Sequence, residues 1–162
     1  MSVALAFGAA SVGSALLGLG TVGATAAAAG PDYYGCTVGM THAGISEADA
    51  ITACANARHP QDLSSCVVDI NDITGLTSNS ALLMCQRSRR PIEVANCTID
   101  IHEGLLETSS QKVLENCGRS VLPERYSNCV IDIAEAAQVG VDEAMTQCIR
   151  AGYRPWQIQP RS

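Results

Sequence analysis

From residue 60 onward, apolar side chains recur with a helical period, and the recurrence is itself repeated. Leu63, Cys66, Val67 and Ile70 stand at i, i+3, i+4 and i+7, as do Val94, Cys97, Thr98 and Ile101, and then Tyr126, Cys129, Val130 and Ile133. Each set draws one apolar stripe along a helix. Pro60, Pro91 and Pro123 precede the stripes at the first turn, where a missing N–H costs nothing. Gly75, Gly104 and Gly140 follow near the helix end or in the turn. A second stripe predicts a second helix: Ala50, Ile51 and Cys54, matched by Ala81, Leu82 and Cys85, by Val113, Leu114 and Cys117, and by Ala144, Met145 and Cys148. Ser46 with Asp49 signals the start of such a helix, and Thr108 with Gln111 fits a capping box. The predicted unit is a helical hairpin.

Aligned on cysteine, the chain holds four such units: Cys36 to Cys54, Cys66 to Cys85, Cys97 to Cys117 and Cys129 to Cys148, with an interval of 12 residues between one unit and the next. Pro60, Pro91, Pro123 and Pro155 mark the same place at a period of 31 or 32 residues, which signals a stacked repeat. Val68, Ile99 and Ile131 add an apolar residue two positions after the first cysteine, about 200° round the helix. A helix apolar on two sides needs two neighbours: its hairpin partner and the next unit. The expected fold class is all-α, four disulfide-stapled helical-hairpin repeats stacked as a short α-solenoid.

Composition explains why staples are needed. The part of the chain beyond residue 29 contains no Phe, and its apolar residues are mostly small or aliphatic, so burial offsets chain entropy weakly. All eight cysteines lie after residue 35, an even number at regular spacing, which in an exported protein is a disulfide framework. Geometry permits pairing within a unit, centred for Cys97 and Cys117 on Glu107, or across units, centred for Cys85 and Cys97 on Pro91. Counting separates them, because pairing across units strands Cys36 and Cys148. The expected bonds are Cys36–Cys54, Cys66–Cys85, Cys97–Cys117 and Cys129–Cys148. Each closes a loop of roughly 20 residues worth about 3 kcal/mol in the chain-entropy model. Four sum to about 12 kcal/mol, comparable with the whole stability of an ordinary domain, about 5–15 kcal/mol.

Residues 1–29 differ from the rest. They carry no charged side chain, are small and apolar, and end in overlapping Ala-x-Ala sites, for example after Ala26 or Ala29. This is the pattern of a cleaved signal peptide, although the usual Lys or Arg at its start is missing. The competing reading is a retained membrane anchor, since the stretch is long enough to span a bilayer. The expected organisation is a leader over 1–29, a four-repeat domain over 30–152, and a capping or docking tail over 153–162. The implied location is secreted or periplasmic.

A net charge of −6, with nine Arg and a single Lys and no basic block longer than "RSRR" at 87–90, makes nucleic acid and anionic membranes poor partners. Membrane association is expected only if the leader is retained. The most suggestive polar positions are Asp69, Asp100 and Asp132, each three residues after a hairpin's first cysteine. Stacked helices would set them about 10 Å apart, as a carboxylate row that could hold cations or a basic partner. The structural alternative pairs each with an arginine just before a repeat proline: Arg58, Arg89, Arg90 or Arg154. The candidate binding surface joins Asp69, Asp100 and Asp132 with Arg87, Arg89 and Arg90.

Catalytic chemistry finds little support. His42, His59 and His102 do not recur at equivalent positions and no Cys-x-x-Cys pair exists, which argues against a zinc site or a dithiol redox centre. No nucleophile elbow or phosphate loop is present. No enzyme and no cofactor are expected. Aromatic residues gather at the two ends, Tyr33 and Tyr34 at one and Tyr153 and Trp156 at the other, where they either cap the open ends or dock to a second copy. The expected function is a non-catalytic binding or scaffold module outside the cytoplasm, engaging an unidentified protein or other extracellular partner. The alternative is a structural subunit of an extracellular layer or filament, with itself as the head-to-tail partner.

Overall fold

The computed structural model describes residue 30 and residues 32–105 and 109–152. The leader, Glu107, Thr108 and the tail with Tyr153, Arg154, Pro155 and Trp156 lie outside the described residues.

Eight helices and no strands make up the described residues. They form four hairpins: α1 (Tyr33–His42) with α2 (Glu47–Asn56), α3 (Pro60–Thr74) with α4 (Ser78–Cys85), α5 (Pro91–Gly104) with α6 (Ser110–Arg119), and α7 (Pro123–Ala137) with α8 (Val141–Gly152). Proline opens α3, α5 and α7 at the first helical position. The Ser46 hydroxyl caps α2 by accepting the Asp49 N–H at 3.2 Å. The Asp32 carboxylate caps α1 by accepting the Gly35 N–H at 2.7 Å. Gly75 ends α3 in the left-handed conformation, φ 69°, which a residue without Cβ adopts at no steric cost. At α6 the capping residue is Ser109, which makes no side-chain cap, and Gln111 instead donates to Glu115 at 3.2 Å.

Each hairpin is closed by its own disulfide: Cys36–Cys54, Cys66–Cys85, Cys97–Cys117 and Cys129–Cys148, with Cα–Cα distances of 6.0, 6.1, 5.9 and 6.0 Å. No cysteine is free. The first helices of the hairpins pack in succession, α1 on α3, α3 on α5 and α5 on α7, so the hairpins stand in a row. Among the described residues no helix is long and apolar enough to cross a membrane.

The apolar stripes form one core along the row, including Cys66, Val67, Ile70, Val94, Cys97, Ile101, Val113, Leu114 and Met145. Of the expected stripes, Cys129 is only partly buried at the edge of this core, and two other members depart from it. Ile51 is 51% exposed although its counterparts Leu82, Leu114 and Met145 are buried, and Ile133 is 37% exposed although Ile70 and Ile101 are buried. Leu82 and Met145 explain the first case. They face the preceding hairpin, Leu82 toward the space beside α2 and Met145 toward Asn116 of α6, and among the described residues no hairpin precedes that of α1 and α2. Ile133 lies at the opposite end of the row, on the last of the four odd-numbered helices, and the burial shifts round α7 to Ala134.

Contacts between successive hairpins also follow a register. The residue three after a hairpin's first cysteine meets the residue two before the first cysteine of the next. Ser127 donates to the Asp100 carboxylate at 3.3 Å, and the Ser64 Cβ lies 3.8 Å from where a Cβ on Gly39 would stand. The second residue of this pair is small and buried each time: Ser64, Ala95 and Ser127.

Candidate functional site

The side of the row built from α2, α4, α6 and α8 is uneven. In the middle α4 packs on α6, and Gly118 eases the fit: a Cβ there would lie 3.2 Å from the Met84 sulfur, so the methionine would have to give by a few tenths of an ångström. The residues at the same repeat position elsewhere are Ala55, Gln86 and Ile149, all larger. On either side of this closed contact a groove opens, and the two occupy equivalent places in the repeat.

The first groove, about 830 Å³, lies between α2 and α4 and is bounded by the loops that lead out of both hairpins. Leu63 and Leu82 form part of its floor. Arg58 and His59 come from the loop after α2, Arg87 and Arg89 from the loop after α4, and Asp49 supplies a carboxylate on the α2 wall. The ion pairs among the described residues are Arg90 with Glu93 at 3.0 Å and Lys112 with Asp142 at 2.8 Å, so Arg58, Arg87 and Arg89 belong to neither. Three arginines therefore line one cleft of a chain whose net charge is −6, with Asp49 beside them.

The second groove, about 340 Å³, lies over α7 between the loop after α6 and the last turns of α8. Its lining includes Val121, Leu122, Tyr126, Ile149 and the Cys129–Cys148 disulfide, with Arg125 at the edge. Val121 is 81% exposed. The α6 and α8 helices meet away from it, through Lys112 with Asp142 and through the Asn116 amide donating to the Met145 sulfur at 3.7 Å. The Tyr126 hydroxyl donates to the Met145 carbonyl at 3.3 Å, and burial pushes its phenol up to about 12, an effect that the Asn116 side chain partly offsets.

The carboxylate row and the arginine loop do not share a site. Asp69, Asp100 and Asp132 are exposed and line neither groove. Asp100 stands nine residues after Pro91, about 13 Å further along α5 at 1.5 Å per residue. Asp100 accepts the Ser127 hydroxyl. Partial burial, and after it the Asp72 carboxylate, raise the Asp69 carboxyl above its ordinary range. Of the arginines proposed beside them, Arg87 and Arg89 line the first groove, while Arg90 turns to Glu93 at the first turn of α5. Tyr33 and Tyr34 lie exposed at the start of α1.

The sequence alone marks Arg87 and Arg89 as candidate binding residues and Arg58 as a partner for aspartate, and gives His59, Leu63 and Leu82 no binding role. The signal lay in the repeat alignment. Four residues after the second cysteine of successive hairpins stand Arg58, Arg89 and Val121, and the first two face the same groove. No protein-family model, curated protein or solved structure matches the chain.

Proposed function

We propose that this chain is a binding module that works outside the cytoplasm and has no catalytic role, with the arginine-lined groove between the first two hairpins as its contact surface. The groove carries the reading. It collects three arginines that no ion pair among the described residues uses, over an apolar floor, on a support that four disulfides hold rigid. A rigid support lowers the ordering cost of binding. Four disulfides persist in oxidising compartments, in keeping with the apolar, Ala-rich segment at 1–29.

Tyr34 supports a self-contained module over a subunit that extends end to end. It occupies the position of Ser64, Ala95 and Ser127, the small buried residue that lets each hairpin close on the one before it. At 82% exposure it projects from the front of the row. A second copy approaching that face in the register of the repeat meets a phenol ring where the internal interfaces have a hydroxymethyl or methyl group. Light scattering of the oxidised protein over a wide concentration range tests this. We expect a constant monomer mass for the natural sequence and a rising mass for Tyr34→Ser. Growth of the natural protein into chains would instead support the layer or filament.

A further inference from the structure

We infer that the groove between the first two hairpins takes an acidic peptide segment with an apolar side chain at its centre. The inference rests on the reading of the chain as a binding module and adds the ligand. Its strongest support is internal to the molecule. The loop after α6 has the same length from the second cysteine to the proline as the loops after α2 and α4, and it folds with Val121 and Leu122 where they carry Arg58 and His59 or Arg89 and Arg90. Arginine at these places is therefore not a requirement of the turn. A positive charge beyond a helix C-terminus does favour the helix dipole, by about 0.3–1 kcal/mol at an exposed site, and α2 and α4, unlike α6 with Arg119, have no basic residue in the last turn; that need accounts for one arginine after each helix but not for both Arg87 and Arg89 after α4.

The arrangement of the arginines narrows the ligand. Arg58 and Arg89 come from neighbouring hairpins, and Arg87 stands two residues before Arg89, so arginine lines the groove from both hairpins. Their guanidinium forks match carboxylates with paired parallel hydrogen bonds. Between them Ala53, Ala57 and Pro91 are half-buried over the buried Leu63 and Leu82, and this apolar surface gains from covering by an aliphatic side chain. A sugar chain prefers an aromatic platform, and the lining holds no Tyr, Trp or Phe. A volume of about 830 Å³ sits within the range of pockets that enclose small ligands, and it has room for a few peptide residues rather than a whole folded surface. The net charge of −6 does not forbid an acidic ligand, because salt screens charges beyond about 8 Å while the groove arginines act at contact distance.

The test is fluorescence anisotropy of the oxidised protein with a labelled Asp-Glu-Leu-Glu-Asp peptide. Comparison probes replace the acids with lysine, replace the leucine with glycine, or consist of a sulfated oligosaccharide. We expect binding of the acidic peptide that weakens about tenfold in Arg58→Gln with Arg89→Gln, the loss of about 1.4 kcal/mol. Affinity should fall with added salt, fall again when leucine is removed, and stay unchanged in Arg150→Gln, which lies outside the groove. Circular dichroism confirms that each variant keeps its helices. Arginine-dependent binding of the sulfated probe without the peptide would overturn the ligand class and leave the binding module standing. Peptide binding that ignores both arginine substitutions would overturn the site, and absence of binding by every probe would remove the support that the groove gives to the module itself.

Discussion

The groove between the first two hairpins and the groove between the last two are the same feature of the repeat, filled differently. Both lie where the loop leaving one hairpin faces the end of the next return helix. Both sit over the residue three before an odd helix's first cysteine, Leu63 in one and Tyr126 in the other. One is rimmed by Arg58, Arg87 and Arg89, and the other by Val121, Leu122 and Ile149. The interface between them is closed, with Gly118 of α6 against the Met84 side chain. The stacking of hairpins thus sets where a groove can open, the fit of Gly118 against Met84 favours closure in the middle, and the loop residues set the chemistry of the lining. On the proposed reading, backbone and binding chemistry are separable in this molecule, as expected where disulfides supply much of the stability.

If that separation is real, the staples beside the two grooves should be interchangeable in energy. Cys66–Cys85 and Cys129–Cys148 each span 19 residues. Replacing either pair by alanine should cost about 3 kcal/mol, more than a hundredfold in the folding equilibrium. Urea unfolding without reductant measures both. Equal losses would mean that the grooves differ only in their loops, whereas a much smaller loss at Cys129–Cys148, which ends the row, would show that the last hairpin is held less by its staple than by its neighbour.

A smaller effect comes from exchanging loop chemistry. Val121→Arg with Leu122→Arg should give the second groove some affinity for the acidic peptide, about a severalfold gain rather than the full tenfold, since it is smaller and lacks a second wall of arginine. Surface changes of this kind usually alter stability by within about 0.5 kcal/mol. Thermal unfolding and peptide anisotropy together decide the matter. A large loss of stability would mean that Val121 and Leu122 have a structural task that their exposure hides.

The sequence made the hairpins and their bonds legible for a physical reason. A helical stripe, a proline at the first turn and a cysteine in fixed register all depend on local spacing, and four copies average out the exceptions. Ile51 and Ile133 were the exceptions, since a period describes a residue's face but not whether a neighbour stands there, and both lie at the ends of the row. The groove was less legible. Arg87 and Arg89 stood out as part of a basic run, but Arg58 lies about thirty residues away, and only the packing of two hairpins brings them to one cleft. The aspartates recur, yet they line neither groove; Asp100 takes part in the register between hairpins through the Ser127 hydroxyl, whereas Asp69 stands opposite Ala95. In a repeat protein, recurrence marks what the fold needs, and departure from it marks where function can be added.

The second groove offers one further measurement, with the smallest effect. Tyr126 lies under it with a phenol pushed up to about 12 by burial, against an ordinary value of about 10 in the unfolded chain. A neutral phenol is thus favoured in the folded protein. Below pH 10 both states hold the proton and stability does not change. As pH rises from about 10 towards 12 the unfolded chain loses it first, and the stabilisation that burial of the neutral ring maintains is progressively lost. At about pH 10.5 the difference is below about 1 kcal/mol. Comparing unfolding of the natural protein with Tyr126→Phe isolates it: the slope between about pH 9 and 10.5 should flatten in the variant. An unchanged slope would mean that water reaches the phenol through the groove, and that the second groove is wetter than its valine and leucine rim implies.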